Sequence, residues 1–79
     1  MFKNKKEGRN NLCGDKIREL RLANSTKLSQ RALADRMQLI GIDIDKNAIQ
    51  RIESGKRFVT DIELKAFSVV FEVSVSDLI

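Results

Sequence analysis

The sequence predicts an all-α protein, a compact bundle of five helices, and three features carry that expectation. The 79 residues include no proline, only four are glycine, and apolar residues recur every three to four positions instead of alternating. No segment reads as a strand, and a chain of this length holds one core.

Residues 1–11 (MFKNKKEGRNN) are polar and basic without periodicity, and read as a flexible basic arm ahead of a domain over residues 12–79. The first helix is expected from Gly14 to Ala23, burying Ile17 and Leu20. The second is expected over Gln30 to Leu39, with Ser29 as its capping hydroxyl. Leu28 before the cap and Leu33 after it form a hydrophobic staple, and Leu33, Ala34 and Met37 make the buried side. The pattern returns at Ile44-Asp45: Asp45 caps a third helix, Ile44 staples against Ile49, and Gly55 closes the helix in the left-handed conformation. The fourth helix opens on Val59-Thr60, where Thr60 and Glu63 complete a capping box and Leu64 is the staple partner. Its stripe is Leu64, Phe67, Val70 and Phe71, and Phe58, Phe67 and Phe71 are assigned to the core. Ser74 and Asp77 offer a last cap for a short fifth helix ending at Leu78 and Ile79.

Composition narrows the function classes. A single cysteine, Cys13, and no histidine exclude an intrachain disulfide and a zinc set, and remove the commonest general base. No enzyme, metal or cofactor is expected. No ligand pocket can be argued from the sequence, so no small-molecule effector is assigned. Apolar runs fall far short of the roughly 18 residues that span a bilayer, and the first residues lack the apolar middle of a signal peptide, so a cytoplasmic protein with no membrane partner is expected. The net charge of +4 is unevenly placed: residues 1–36 carry ten Lys/Arg against four Asp/Glu, and residues 37–79 five against seven. Such asymmetry suggests one face presented to a polyanion.

The third helix can be read by angle, at about 100° per residue. With Ile49 at zero, Ile52 and Ala48 fall at roughly 300° and 260° and form an apolar side. Asn47, Arg51 and Ser54 fall near about 140° to 200°, and Gln50 near about 100°. Arginine reads guanine, and asparagine or glutamine reads adenine, through paired hydrogen bonds in the major groove. Most solvent-facing helix sides are polar too, so the residue types, more than the polarity, point to bases. Glu53, near about 40°, turns toward the core. An unpaired carboxylate there would be costly, so a partly buried ion pair is expected with an arginine of the first helix, Arg21 first among them.

The segments LSQRALADRM, NAIQRIESGKR and ELKAFSVVFEVSVSDLI together resemble the phage-repressor and Cro type of helix-turn-helix domain, the XRE-like family, over about residues 14–79. The resemblance implies a lambda-repressor-like bundle whose third helix enters the major groove while the second lies across the DNA backbone. It implies a phosphate contact for Gln30, base contacts for Lys46, Asn47, Gln50 and Arg51, with a phosphate contact as the alternative for Lys46, and phosphate contacts for Lys56 and Arg57. Arg21 and Glu53 match a structural pair of the family. The implied function is sequence-specific binding of a double-stranded DNA operator as a transcriptional repressor, by a homodimer whose interface would be sought at Val69, Val73 and Ile79. The alternative is a protein-interaction module on the same scaffold, antitoxin-like or a regulatory adaptor.

Two features depart from the family. Both connections of the motif are long: Asn24 to Lys27 exceeds the usual turn by about two residues and Gln38 to Asp45 by about five, so that QLIGIDID is no tight turn of about three to four residues. The isoleucines of QLIGIDID are expected to pack on the bundle and hold the third helix. Glu72 stands where the family often has glycine, so a less regular end is expected for the fourth helix.

Overall fold

A computed structural model describes residues 8–23 and 25–79. Four α-helices follow one another, α1 (Gly14–Leu22), α2 (Gln30–Leu39), α3 (Lys46–Glu53) and α4 (Asp61–Phe71), and a single 3-10 turn, Val75–Leu78, ends the domain. The expected fifth helix is thus corrected to a 3-10 turn. Its 4 residues are too few for a continued i→i+4 ladder, and the Asp77 carboxylate holds it by accepting from the Ser74 amide at 3.2 Å. The described residues contain no strand.

Three helices start on side-chain caps. Ser29 Oγ accepts from Ala32 N at 3.0 Å, Asp45 Oδ1 from Ala48 N at 2.9 Å, and Thr60 Oγ1 from Glu63 N at 3.1 Å, while Glu63 Oε1 accepts from Thr60 N. Each cap satisfies an amide that the helix itself leaves without a partner. The helix ends share one device. At α2 the Ile42 amide donates to Met37 O and the Gly41 amide to Gln38 O; at α3 the Lys56 amide donates to Arg51 O and Gly55 to Ile52 O; at α4 Val73 donates to Ser68 O and Glu72 to Val69 O. These are three Schellman closures, and the left-handed residue is Gly41 (φ 90), Gly55 (φ 81) and Glu72 (φ 56) in turn. The end of α4 is therefore as regular as the others, but achieved with a side chain in a conformation that favours glycine.

The core is one cluster in which Ile17, Leu33, Met37, Ile49, Ile52, Phe67 and Leu78 are fully buried. Leu28 and Ile44, the staple residues before α2 and α3, are buried in it, and Leu20, Ile42, Val59, Leu64, Val70 and Val73 pack half-buried around it. Phe58 departs from its core assignment and is 54% exposed. Val59, one residue later, fills the staple position, so Phe58 points out of the loop instead. In the connection from α2 to α3, Ile42 and Ile44 pack inward and Gln38 Nε2 donates to Ile44 O at 2.9 Å, which holds the start of α3. Ile40 and Leu39 stay exposed.

Residues 1–7, most of the segment read as a flexible arm, lie outside the described residues. Arg9, Asn10 and Asn11 are tied to the end of α3 by hydrogen bonds. Gly14, where α1 begins, is buried against that same end: a Cβ there would overlap the Ile52 carbonyl oxygen.

Candidate nucleic-acid interface

The cap at Asp45 starts α3, and burial of Ile49 and Ile52 fixes its rotation. With that side inward and Ala48 half-buried, Lys46, Asn47, Gln50, Arg51 and Ser54 come out exposed together. The i, i+4 pairs Lys46–Gln50 and Asn47–Arg51 lie one turn apart on this face. Lys46, Arg51 and Lys56 form no ion pair among the described residues, so their charge is unspent. Lys56 is exposed in the loop that follows α3.

Glu53, the only acid of α3, is 6% exposed, and Arg21 of α1 is 8% exposed. Arg21 Nε donates to Glu53 Oε2 at 2.6 Å and Nη2 to Oε1 at 2.8 Å, a fork-to-fork pair, while Nη1 donates to Leu28 O at 3.0 Å. Hydrogen bonding to Glu53 raises the Arg21 pKa above its ordinary value, so the guanidinium stays charged although buried. Gln30 Nε2 donates to Glu53 Oε1 at 3.2 Å, so one carboxylate joins α1, the start of α2 and α3. The Gln30 side chain is thereby placed beside α3, and the backbone amides of Gln30 and Arg31 lie in the first turn of α2, where the helix offers them no partner.

Arg57, for which the resemblance implies a phosphate contact, makes its side-chain hydrogen bonds within the fold. Its Nη1 and Nη2 donate to the two oxygens of Glu63 at 2.9 Å each, and Nη1 also donates to Phe58 O. Hydrogen bonds from Arg57 hold the Glu63 carboxyl below its ordinary pKa. The fork is closed on a carboxylate, which ties the loop after α3 to the first turn of α4 and leaves Lys56 as that loop's free cation among the described residues.

Two further cations flank α3. Arg18 of α1 shares a cleft with Gln30, Gln50, Glu53 and Ser54, and Arg31 lines the groove between α2 and α3 with Asp35, Gln38, Asp45, Lys46 and Asn47. Sequence reasoning missed both. Arg18 is brought beside Gln50 by the packing of α1 on α3, which no local pattern encodes; Arg31 follows Gln30 directly, so its place at the start of α2 was available as a signal.

Among the described residues no group of three or more His, Cys, Asp or Glu side chains could hold a metal ion. Burial pushes the Cys13 thiol up to about 11, so it is a neutral core group at physiological pH. No described helix is long and apolar enough to cross a membrane.

A family model described as "Helix-turn-helix" matches residues 17–78, well over half of the chain. No curated protein and no solved structure matches it significantly. The matched segment runs from the buried Ile17 of α1 through the exposed face of α3 to Leu78 at the end of the core, and the chain therefore belongs to the XRE type of helix-turn-helix family, a family of DNA-binding regulators.

Proposed function

We propose that this protein is a cytoplasmic, non-enzymatic transcriptional repressor that binds double-stranded DNA by sequence, with α3 in the major groove and α2 across the backbone. One observation carries the reading: α3 turns its single carboxylate inward onto Arg21 and presents Lys46, Asn47, Gln50 and Arg51 outward. Asn47, Gln50 and Arg51 have the donor and acceptor sets that distinguish base pairs in that groove. Lys46 reaches a base edge or a phosphate. Lys56, the start of α2 at Gln30, and the flanking Arg18 and Arg31 supply phosphate contacts, which give affinity and register but no sequence information. Arg57 shapes the loop through Glu63 in this reading. A protein-interaction module would call for an acidic or apolar outer face on α3, and this face is neither.

The reading includes a homodimer on a pseudo-palindromic operator. Ile62 (68% exposed) and Val69 (52%) lie seven residues apart on one side of α4, and Phe58 and Ile79 are exposed nearby in sequence at its two flanks. A second copy covering this apolar side would give a two-fold dimer, the symmetry that a pseudo-palindromic operator calls for. Val73 is half-buried on the core and has no part in it.

Binding titrations of two variants test the base-reading assignment. Arg51→Ala should lose about 1 to 3 kcal/mol on a selected duplex and relax its sequence preference; Lys56→Ala should weaken all duplexes alike and lower the salt slope by about one. Equal losses on selected and scrambled DNA for Arg51→Ala would sink the assignment.

A further inference from the structure

The chain ahead of the matched family segment contributes three consecutive residues to the end of the recognition helix. Arg9 Nη2 donates to Glu53 O at 2.8 Å; the Asn10 amide donates to Gly55 O at 2.8 Å and its Nδ2 to Lys56 O at 3.0 Å; Asn11 Nδ2 donates to Ile52 O at 3.0 Å and to Arg57 O at 2.8 Å. All five acceptors lie in the run Ile52–Arg57, and the partners are 41 to 46 residues away in sequence. The Asn11 side chain reaches one element further, because its Oδ1 accepts from Gly14 N at 2.8 Å, at the start of α1.

These bonds meet a specific need. A helix leaves its last carbonyls without partners, and the Schellman closure of α3 satisfies only part of that set. At 8 residues α3 is also too short to persist by its own ladder. A guanidinium at a helix C-terminus is favourable as well. The fit is close: a Cβ on Gly55 would come within 2.7 to 2.9 Å of Arg9 side-chain atoms, so Arg9 lies directly over the closing residue. What the strap grips is the last turn of α3, which carries Arg51, and the loop that carries Lys56. The Arg51 carbonyl itself accepts from the Lys56 amide at 2.8 Å and the Arg57 amide at 3.2 Å.

We infer that Arg9, Asn10 and Asn11 are positioning residues of the DNA-binding site: they touch the backbone that presents Arg51 and Lys56, and set the discrimination of the protein without reading a base. The inference rests on the DNA-binding reading above. It extends the working unit beyond residues 17–78, so that the family segment alone lacks part of the support of its own recognition surface.

The test uses the full chain with Asn11→Ala, titrated against a duplex selected by the wild type and against scrambled DNA, at a temperature where far-UV circular dichroism shows the variant fully folded. The ratio of affinities should fall about tenfold, within the discrimination one bidentate base contact carries. Hydrogen exchange at the Lys56 and Arg57 amides should accelerate while α4 amides keep their rates. A residue with a merely structural role would lower the melting temperature and leave the ratio of the folded protein unchanged, and that result overturns the inference alone. A wild type that does not discriminate overturns the DNA-binding reading and this inference with it. If Asn11→Ala does not fold, Arg9→Ala carries the same test, because Arg9 makes one side-chain hydrogen bond to α3 and is partly exposed. A ratio within twofold of wild type in that variant overturns the inference.

Discussion

Replacing Glu53 by alanine probes the joint on which α1, α2 and α3 meet. In the wild type the Arg21 guanidinium has three partners, the two oxygens of Glu53 and the Leu28 carbonyl, and the residue is 8% exposed. Glu53→Ala leaves that charge with the Leu28 carbonyl alone and no counter-ion. Removing one member of a buried pair costs about 3 to 5 kcal/mol, far above the ~1 kcal/mol ceiling of an exposed pair. A chain of 79 residues has about 4 to 12 kcal/mol in all. At about 4 to 8 °C per kcal/mol, the melting temperature should drop by at least about 12 °C. Urea unfolding followed by circular dichroism measures the loss. The double variant Arg21→Met/Glu53→Leu removes both charges and should return to within about 1 kcal/mol of the wild type or exceed it. A loss below about 1 kcal/mol for Glu53→Ala would refute the reasoning, because it would mean that water already screens the pair.

Three other outcomes follow from the same geometry. Gly14→Ala should destabilise by about 1 to 3 kcal/mol despite alanine's better helix propensity, because the added Cβ meets the Ile52 carbonyl; a neutral result in the same urea assay would contradict the close approach of α1 to α3. Glu72→Gly should stabilise by about 0.5 to 1 kcal/mol, since glycine relieves the left-handed conformation at φ 56 that closes α4, and a loss of stability would show that the Glu72 side chain has a role of its own. The Glu63 carboxyl is held below its ordinary pKa chiefly by hydrogen bonds from Arg57, so its contribution to stability is complete above the unfolded carboxylate value and is lost as pH falls through the lower folded one. The stability gap between wild type and Glu63→Gln should accordingly hold from neutral pH down to the unfolded carboxylate value and shrink as pH falls below it, and a gap that stays constant into acid would argue against the ion pair.

What the sequence discloses is what depends on neighbours along the chain. Ser29, Asp45 and Thr60 cap helices because the hydroxyl or carboxylate and the amide it serves are three residues apart, and the start of α2 at Gln30 is readable for that reason. The inward turn of Glu53 was readable from helical angle, and the cost of a buried carboxylate named a cationic partner across the fold. Gly41 closes α2 as Gly55 closes α3, and it lies inside the long connection, whose turn begins only after Leu39. Other features had no local signature. The staple at Val59 is legible from its place before the Thr60 cap, but hydrophobicity alone puts the neighbouring Phe58 in the core as well, and only packing leaves it exposed. The Arg57–Glu63 pair spans a loop and a helix start, so a basic loop residue looked free when it is not. The strap of Arg9 to Asn11 joins segments more than forty residues apart, and three polar residues in a basic stretch carry no periodicity to mark it.

The central claim, recognition of a DNA sequence through the outer face of α3, is tested most directly by selecting binding sites from a random duplex pool with the purified full chain, then titrating the enriched duplex against scrambled DNA at two salt concentrations. The account predicts an enriched palindrome with half-sites about one helical turn apart, bound at least about a thousandfold more tightly than scrambled DNA at the higher salt. No enrichment, with weak binding that disappears as salt rises, would contradict it and leave only a basic surface.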